Sequence, residues 1–173
     1  MMSFDSQPTL TGSLVQLRPL RADDYAALRA VASDPEIWAQ HPESNRHEEA
    51  VFRRFFDDAI ASGGALAAID RQTARVIGSS RFKVHAGGPA CVEIGWTFLA
   101  RSHWGGRYNG EMKRLMIEHA FRFTDRVVFL VGVWNVRSQL AVERLGAARV
   151  STAVDDAGRQ SYEYEMLRPP TST

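Results

Sequence analysis

The sequence predicts an α/β (α+β) fold in which a mixed, mostly antiparallel central sheet carries one parallel β-α-β unit. Three observations predict it. Short alternating or apolar runs recur with turn residues between them, as strands do. Four other stretches place apolar residues at helical spacing. One of these stands between "CVEIGWTFL" and the almost wholly apolar "RVVFLVGV", an order that requires a right-handed parallel crossover.

The 173 residues, 45% apolar and 24% charged, suit a single soluble domain spanning 1–173 with a real core. The ordered part is expected over about 13–168, with short flexible Ser/Thr/Pro-rich ends. Lys plus Arg is 21 and Asp plus Glu is 20, so the net charge is +1. No global field exists to hold nucleic acid, and any anion must be caught locally. Cys91 is the only cysteine, which excludes an internal disulfide and a cysteine-based zinc site. A reducing cytoplasm fits. The first residues, "MMSFDSQPTL", show neither a basic start nor an apolar run, so no signal peptide is expected. No apolar stretch approaches the roughly 20 residues needed to cross a bilayer, so no membrane partner is expected. A homodimer is left open.

The elements follow in order. "LVQLRPL" alternates into a strand at Leu14 to Arg18, and "RADDYAALRAVAS" gives a helix stopped by Asp34-Pro35, because the residue before proline avoids the helical region. "HEEAVFRRFFDDAIAS" is a second helix from about His47, ended by Gly63-Gly64. "ALAAID", "RVIGSSRFKV" and "CVEIGWTFL" are strands, with turns at Arg71 to Ala74 and Ala86 to Pro89. The next helix places Met112, Leu115, Met116, His119, Ala120 and Phe123 on one face. After the buried strand "RVVFLVGV", Asn135 reads as the N-cap of a helix to Leu145, with Gly146 as its stop. "ARVSTAV" and "SYEYEML" close the chain around "DDAGR". The order is β-α-α-β-β-β-α-β-α-β-β.

The segment "RSHWGGRYNGEMKR" sets Gly105, Gly106 and Gly110 between Arg101, Arg107 and Lys113 at a helix start. Such a turn can bind an anion through free N–H groups at the positive helix end. It lacks the G-x-G-x-x-G of a dinucleotide site. Gly105 and Gly110 have P-loop spacing, but Glu111-Met112 replaces the Lys and hydroxyl that handle phosphate and magnesium. A plain tight turn is the alternative.

Read together, "EIGWTFLARSHWGG", the helix that follows and "NVRSQLAVERLGA" resemble the GNAT acetyltransferase superfamily, in the branch like the ribosomal-protein N-acetyltransferases RimJ and RimL. Glu93, Gly95, Trp96, Trp104, Gly105, Tyr108, Glu111, Asn135, Ser138 and Gly146 fall on that branch's motif positions, and the element order matches from about Leu14 to Leu167. The resemblance implies a GNAT fold with a β-α-β acetyl-CoA-binding core. Arg107 stands where the family's second glycine usually lies, Asn109-Gly110 replaces a small-residue pair, and Val142 replaces the tyrosine acid of many members. Ala147 stands in place of a common phenylalanine.

The resemblance implies acetyl-CoA as co-substrate, its pyrophosphate on Trp104, Gly105, Gly106, Arg107, Tyr108, Asn109 and Gly110, and its pantetheine along Trp96, Thr97 and Phe98, with Asn135 beside it. A bulge near Gly95 would free N–H groups at Trp96 and Thr97 for the oxyanion. Attack by an amine requires a base, because ammonium is not nucleophilic. Glu93 is the candidate base, against an exposed strand carboxylate. By strict alternation it lies opposite Val92, Ile94, Trp96 and Phe98. Ser138 is the candidate acid for the leaving thiolate, against simple helix capping. Trp38 and His41 are candidates for the acceptor pocket, against surface packing. His41 and His47 are too loosely spaced for a metal, and none is expected. His119 is expected to pack inward, and Cys91 to be a small strand residue. The leading function is acetyl transfer to a primary amine, on a protein N-terminus or a small molecule such as an aminoglycoside, polyamine or amino acid. A non-catalytic acyl-CoA sensor on the same fold is the alternative.

Overall fold

The computed structural model describes residues 3–85 and 91–170. The expected turn at Ala86 to Pro89 lies outside them. The strands are β1 Leu10–Thr11, β2 Val15–Pro19, β3 Ala65–Asp70, β4 Val76–His85, β5 Cys91–Leu99, β6 Arg126–Gly132, β7 Ala148–Val154 and β8 Gln160–Leu167. The helices are α1 Tyr25–Ala32, α2 Glu49–Ser62, α3 Arg107–Ala120 and α4 Val136–Arg144.

All eight strands form one sheet in the order β1-β2-β3-β4-β5-β6-β8-β7. Every pairing is antiparallel except β5 with β6, the expected crossover through α3. α2 places Phe52, Phe56 and Ala59 in a core on one face with Trp38 and Phe98. α3 and α4 place Met112, Met116, Ala120 and Val142 in a core on the other face with Val92, Ile94, Val127 and Phe129. The sheet therefore lies between two apolar layers, which is how both of its faces leave water.

The chain start departs from the expected fraying. Phe4 stacks edge-on against Phe82 and Phe123 at 5.2 and 5.4 Å. His119, packed inward as expected, lies with Nε2 2.7 Å from the Asp5 carbonyl. Leu10 and Thr11 then pair with Leu17 and Gln16 as an eighth strand. Two residues are too few to show a period, so tertiary contacts decide this segment.

Glu111 explains the geometry of that start. Its carboxylate accepts the backbone N–H groups of Ser13, Leu14 and Val15 at 2.8, 2.7 and 2.8 Å. One α3 side chain thus closes the turn between β1 and β2. A Cβ at Gly12 would stand 2.5 Å from this carboxylate, so a side chain there would displace it from its N–H partners.

Candidate active site

The site begins where the sheet splits. Among the described residues, β5 pairs with β6 only through Cys91, Val92 and Glu93, opposite Arg126, Val127 and Val128. Beyond that point β5 keeps only its pairing with β4, whose register shifts, with Ser79 opposite Phe98 but Arg81 opposite Gly95. The extra residue on β5 is a bulge at Trp96, whose φ is +52°. The bulge lies one residue past Gly95.

This bulge overturns the strict alternation expected for β5. Val92 and Ile94 enter the α3-side core. Past the bulge the parity inverts, so Phe98 joins the α2-side core, 5.0 Å from the Trp38 ring. Glu93 and Phe98 therefore share a face. Thr97 turns toward α3, where its Oγ1 lies 2.8 Å from both Ser80 Oγ and Lys113 Nζ.

A cleft of about 780 Å³ runs through the split. Among the expected site residues, Glu93, Trp96, Thr97, Phe98, Trp104, Gly105, Gly106, Asn109, Asn135 and Ser138 line it, as do Trp38 and His41. Arg107, Tyr108 and Gly110 are not among its lining residues. Arg107 is exposed at the first position of α3. The Tyr108 hydroxyl instead points at Asp70, 3.5 Å away, and its ring packs on His103.

The glycine turn has the form of an anion cradle. Gly105 and Gly106 have φ of +106° and +95°, a region L-side chains avoid. A Cβ at either would meet nothing within 4 Å, so glycine is needed there for conformation and leaves an open approach. The backbone N–H groups from Gly105 to Asn109 find no acceptor among the described residues. They sit at the positive end of a 14-residue helix. Two acids hold the turn in place. Asp34 accepts Arg101 Nε at 2.5 Å. Asp70 lies 3.1 Å from His103 Nε2.

Glu93 is buried, 4% exposed, and is therefore not a solvated strand carboxylate. Its Oε2 lies 2.8 Å from His85 Nε2. Asn135 caps α4 by accepting the Ser138 N–H at 3.2 Å. Ser138 is thus not the cap, and its hydroxyl has no protein partner among the described residues. Val142 is buried, apolar and in the wall, so it supplies no proton.

His41 lies in the wall with its Nδ1 accepting the Glu43 N–H at 3.1 Å. Burial, with Arg46 beside it, pushes its pKa down to about 3, so it stays neutral. Among the described residues, no group of histidine, cysteine and acidic side chains could hold a metal ion. Cys91 is a buried strand residue whose thiol burial pushes up.

Three of the cationic side chains in the wall, Lys113, Arg137 and Arg81, were not expected there from the sequence. Lys113 projects from α3, buried beneath Thr97 with Phe129 5.3 Å away. Burial, with no carboxylate partner among the described residues, lowers its pKa to about 8. Its signal was available, because Lys113 shares the inner face with Met112, Met116 and Ile117. Arg137 lies 3.9 Å over the Trp104 ring and joins the start of α4 to the glycine turn. The third is Arg81, buried on β4.

A split sheet beside an open helix N-terminus is the architecture of an acyltransferase. A family model for the acetyltransferase (GNAT) domain matches residues 15–148, and the chain belongs to that family of acetyl-CoA-using enzymes. A GCN5-related N-acetyltransferase from Brucella melitensis shares the fold with a TM-score of 0.79 at 22% identity, over 93% of this chain and 79% of that one. A GNAT-family acetyltransferase from Bacillus anthracis gives 0.77 at 17%, over 92% and 98%. Mycobacterium smegmatis RimJ, solved with CoA-disulfide, gives 0.67 at 19%, over 88% and 81%. Among the described residues no helix is long and apolar enough to cross a membrane.

Proposed function

We propose that the chain moves the acetyl group of acetyl-CoA to a primary amine, on a protein N-terminus or a small molecule, by direct attack in a ternary complex. The parting of β5 from β6 beyond Glu93 and Val128 carries this reading, because it opens a passage joining the two faces of the sheet. On the α3 side, the N–H groups from Gly105 to Asn109, unpaired among the described residues, suit the pyrophosphate. The β5 backbone at Trp96 to Phe98, released from β6, suits the pantetheine amides. On the α2 side, Glu93 faces the acceptor. The motifs around Glu93 and Trp104 support a RimJ/RimL-like enzyme, and a sequence with Cys91 as its one cysteine fits a reducing cytoplasm.

In this mechanism Glu93 takes a proton from the acceptor ammonium, and the freed amine attacks the thioester carbonyl. N–H groups at the Trp96 bulge stabilise the oxyanion. The C–N bond forms, the C–S bond breaks, and the thiolate takes a proton from the α3 side. Two groups there can supply it, the Ser138 hydroxyl and the Lys113 ammonium.

Purified protein given acetyl-CoA and a panel of peptide, aminoglycoside, polyamine and amino-acid amines should release thiol and N-acetylated product in equal amounts with at least one acceptor. Bound acetyl-CoA without thiol release above hydrolysis would return the reading to a non-catalytic acyl-CoA sensor.

A further inference from the structure

The α2-side wall holds a cation that acetyl transfer itself does not use. Arg81, on β4, is 8% exposed, and its Nε and Nη2 are buried with no hydrogen-bond partner among the described residues. Among the described residues no carboxylate pairs with it. Its neighbour Arg46 differs, since it is ion-paired with Glu43. Asp58 and Glu93 act on Arg81 only through space, and burial lowers its pKa to about 10. It remains a full cation at neutral pH.

Its surroundings enclose the Nε and Nη2 donors and leave them unpaired among the described residues. The Trp96 ring lies 4.6 Å from the guanidinium carbon and the Phe55 ring 5.7 Å. Aromatic rings favour a guanidinium at its flat face, leaving the N–H fork at the rim to bind a planar anion with two bonds. A buried charge left unpaired is costly, and an arriving anion removes that cost.

Its position identifies the anion's carrier. Arg81 stands opposite Gly95 across the β4–β5 pair. Glu93 Oε1 leans over the same residue, 3.5 Å from where a Gly95 Cβ would be. A buried cation and a buried anion thus flank one glycine, at the mouth of the passage through which the acetyl group would come.

We propose that Arg81 binds a carboxylate on the acceptor, so that the acceptor is a small zwitterion of the amino-acid type. Its ammonium faces Glu93 and its carboxylate the Arg81 fork. Polyamines and aminoglycosides, which bring only positive charge, are disfavoured by the same guanidinium. This inference rests on the acetyl-transfer reading and narrows it.

The test uses the full chain with acetyl-CoA and matched acceptors, the standard α-amino acids, β-alanine and 4-aminobutyrate, each against its own carboxamide. Short peptides form a further arm. At least one acid should exceed its amide by roughly 10- to 100-fold in kcat/KM, the worth of a charged hydrogen-bonded pair. In Arg81→Met that discrimination should collapse through KM, while acetyl-CoA affinity is kept, and Arg81→Lys should restore part of it. Acids and amides used equally, or peptides preferred with no dependence on Arg81, would overturn the proposal while leaving acetyl transfer intact. If no amine is acetylated, calorimetric binding of the same acids in the presence of CoA, lost in Arg81→Met, would sustain the carboxylate site and reject the transfer reading. Absence of that binding would reject both. Should Arg81→Met fail to fold, the wild-type comparison of acid with amide decides alone.

Discussion

Lys113 Nζ donates to Thr97 Oγ1 across 2.8 Å, tying the inner face of α3 to the strand that carries the bulge. The ammonium is buried, with no acidic partner among the described residues, and burial lowers its pKa from 10.5 to about 8. A lysine so placed loses stability in exchange for a proton held close to neutrality.

The stability consequence has a definite sign. The folded pKa lies below the unfolded one, so between pH 8 and 10.5 the unfolded chain binds more protons. Stability should rise with pH across that window, and the full penalty is present below it. Lys113→Met should flatten this dependence. At neutral pH it should stabilise the fold by up to about 3 kcal/mol, less about 1 kcal/mol for the lost bond to Thr97. Urea unfolding across the alkaline range reads both. Unchanged pH dependence would show that Lys113 titrates normally.

The rate profile separates the two proton donors. If Lys113 protonates the thiolate, kcat falls above about pH 8, where the ammonium is lost, and Lys113→Met abolishes that limb. If Ser138 is the donor, the limb is unaffected by Lys113→Met, and Ser138→Ala lowers kcat by roughly 100-fold.

At the glycine turn the backbone should matter more than the exposed cation. Gly106→Ala forces a side chain to φ +95°, at a cost of about 1–2 kcal/mol, and should weaken acetyl-CoA binding measured by calorimetry. Arg107→Ala should cost only a few-fold, and that loss should vanish near 0.5 M salt, where exposed charges are screened. A large, salt-independent loss in Arg107→Ala would place its side chain on the ligand.

Glu111→Gln tests a structural carboxylate. Burial alone would raise the Glu111 pKa, but the N–H groups of Val15, Leu14 and Ser13 outweigh it and lower it. The contribution is present above the unfolded carboxyl's range and is lost as pH falls through the depressed folded value. Glu111→Gln should lose about 2 kcal/mol at neutral pH, and far less in acid. Its acetyl-CoA affinity should stay near wild type once folded.

The elements that repeat a period were legible in the sequence. β3, β5 and β7 fall on the residues expected from "ALAAID", "CVEIGWTFL" and "ARVSTAV". The second helix starts at Glu49 instead of about His47, and the first is shorter because Ala22–Asp24 forms a 3-10 turn. The bulge at Trp96 could not be located by alternation, since a bulge is what breaks alternation. Arg81 escaped notice, and Lys113 was read only as a cation beside the glycine turn, because a charged residue is ordinarily read as facing water. Their burial depends on what α2, α3 and the split strands bring around them.

The central claim is that Glu93 is the base for amine attack, and Glu93→Gln measures it most directly. Glutamine keeps the shape and can still hydrogen-bond His85, so the fold and acetyl-CoA binding should survive. Saturating acetyl-CoA should raise the melting temperature of both proteins, because ligand bound only to the folded state stabilises it. The rate of acetyl transfer should fall by roughly 100- to 10,000-fold, and the defect should shrink as pH rises toward the acceptor's own pKa. A Glu93→Gln protein that folds, binds acetyl-CoA and acetylates its acceptor at the wild-type rate at neutral pH would contradict the account.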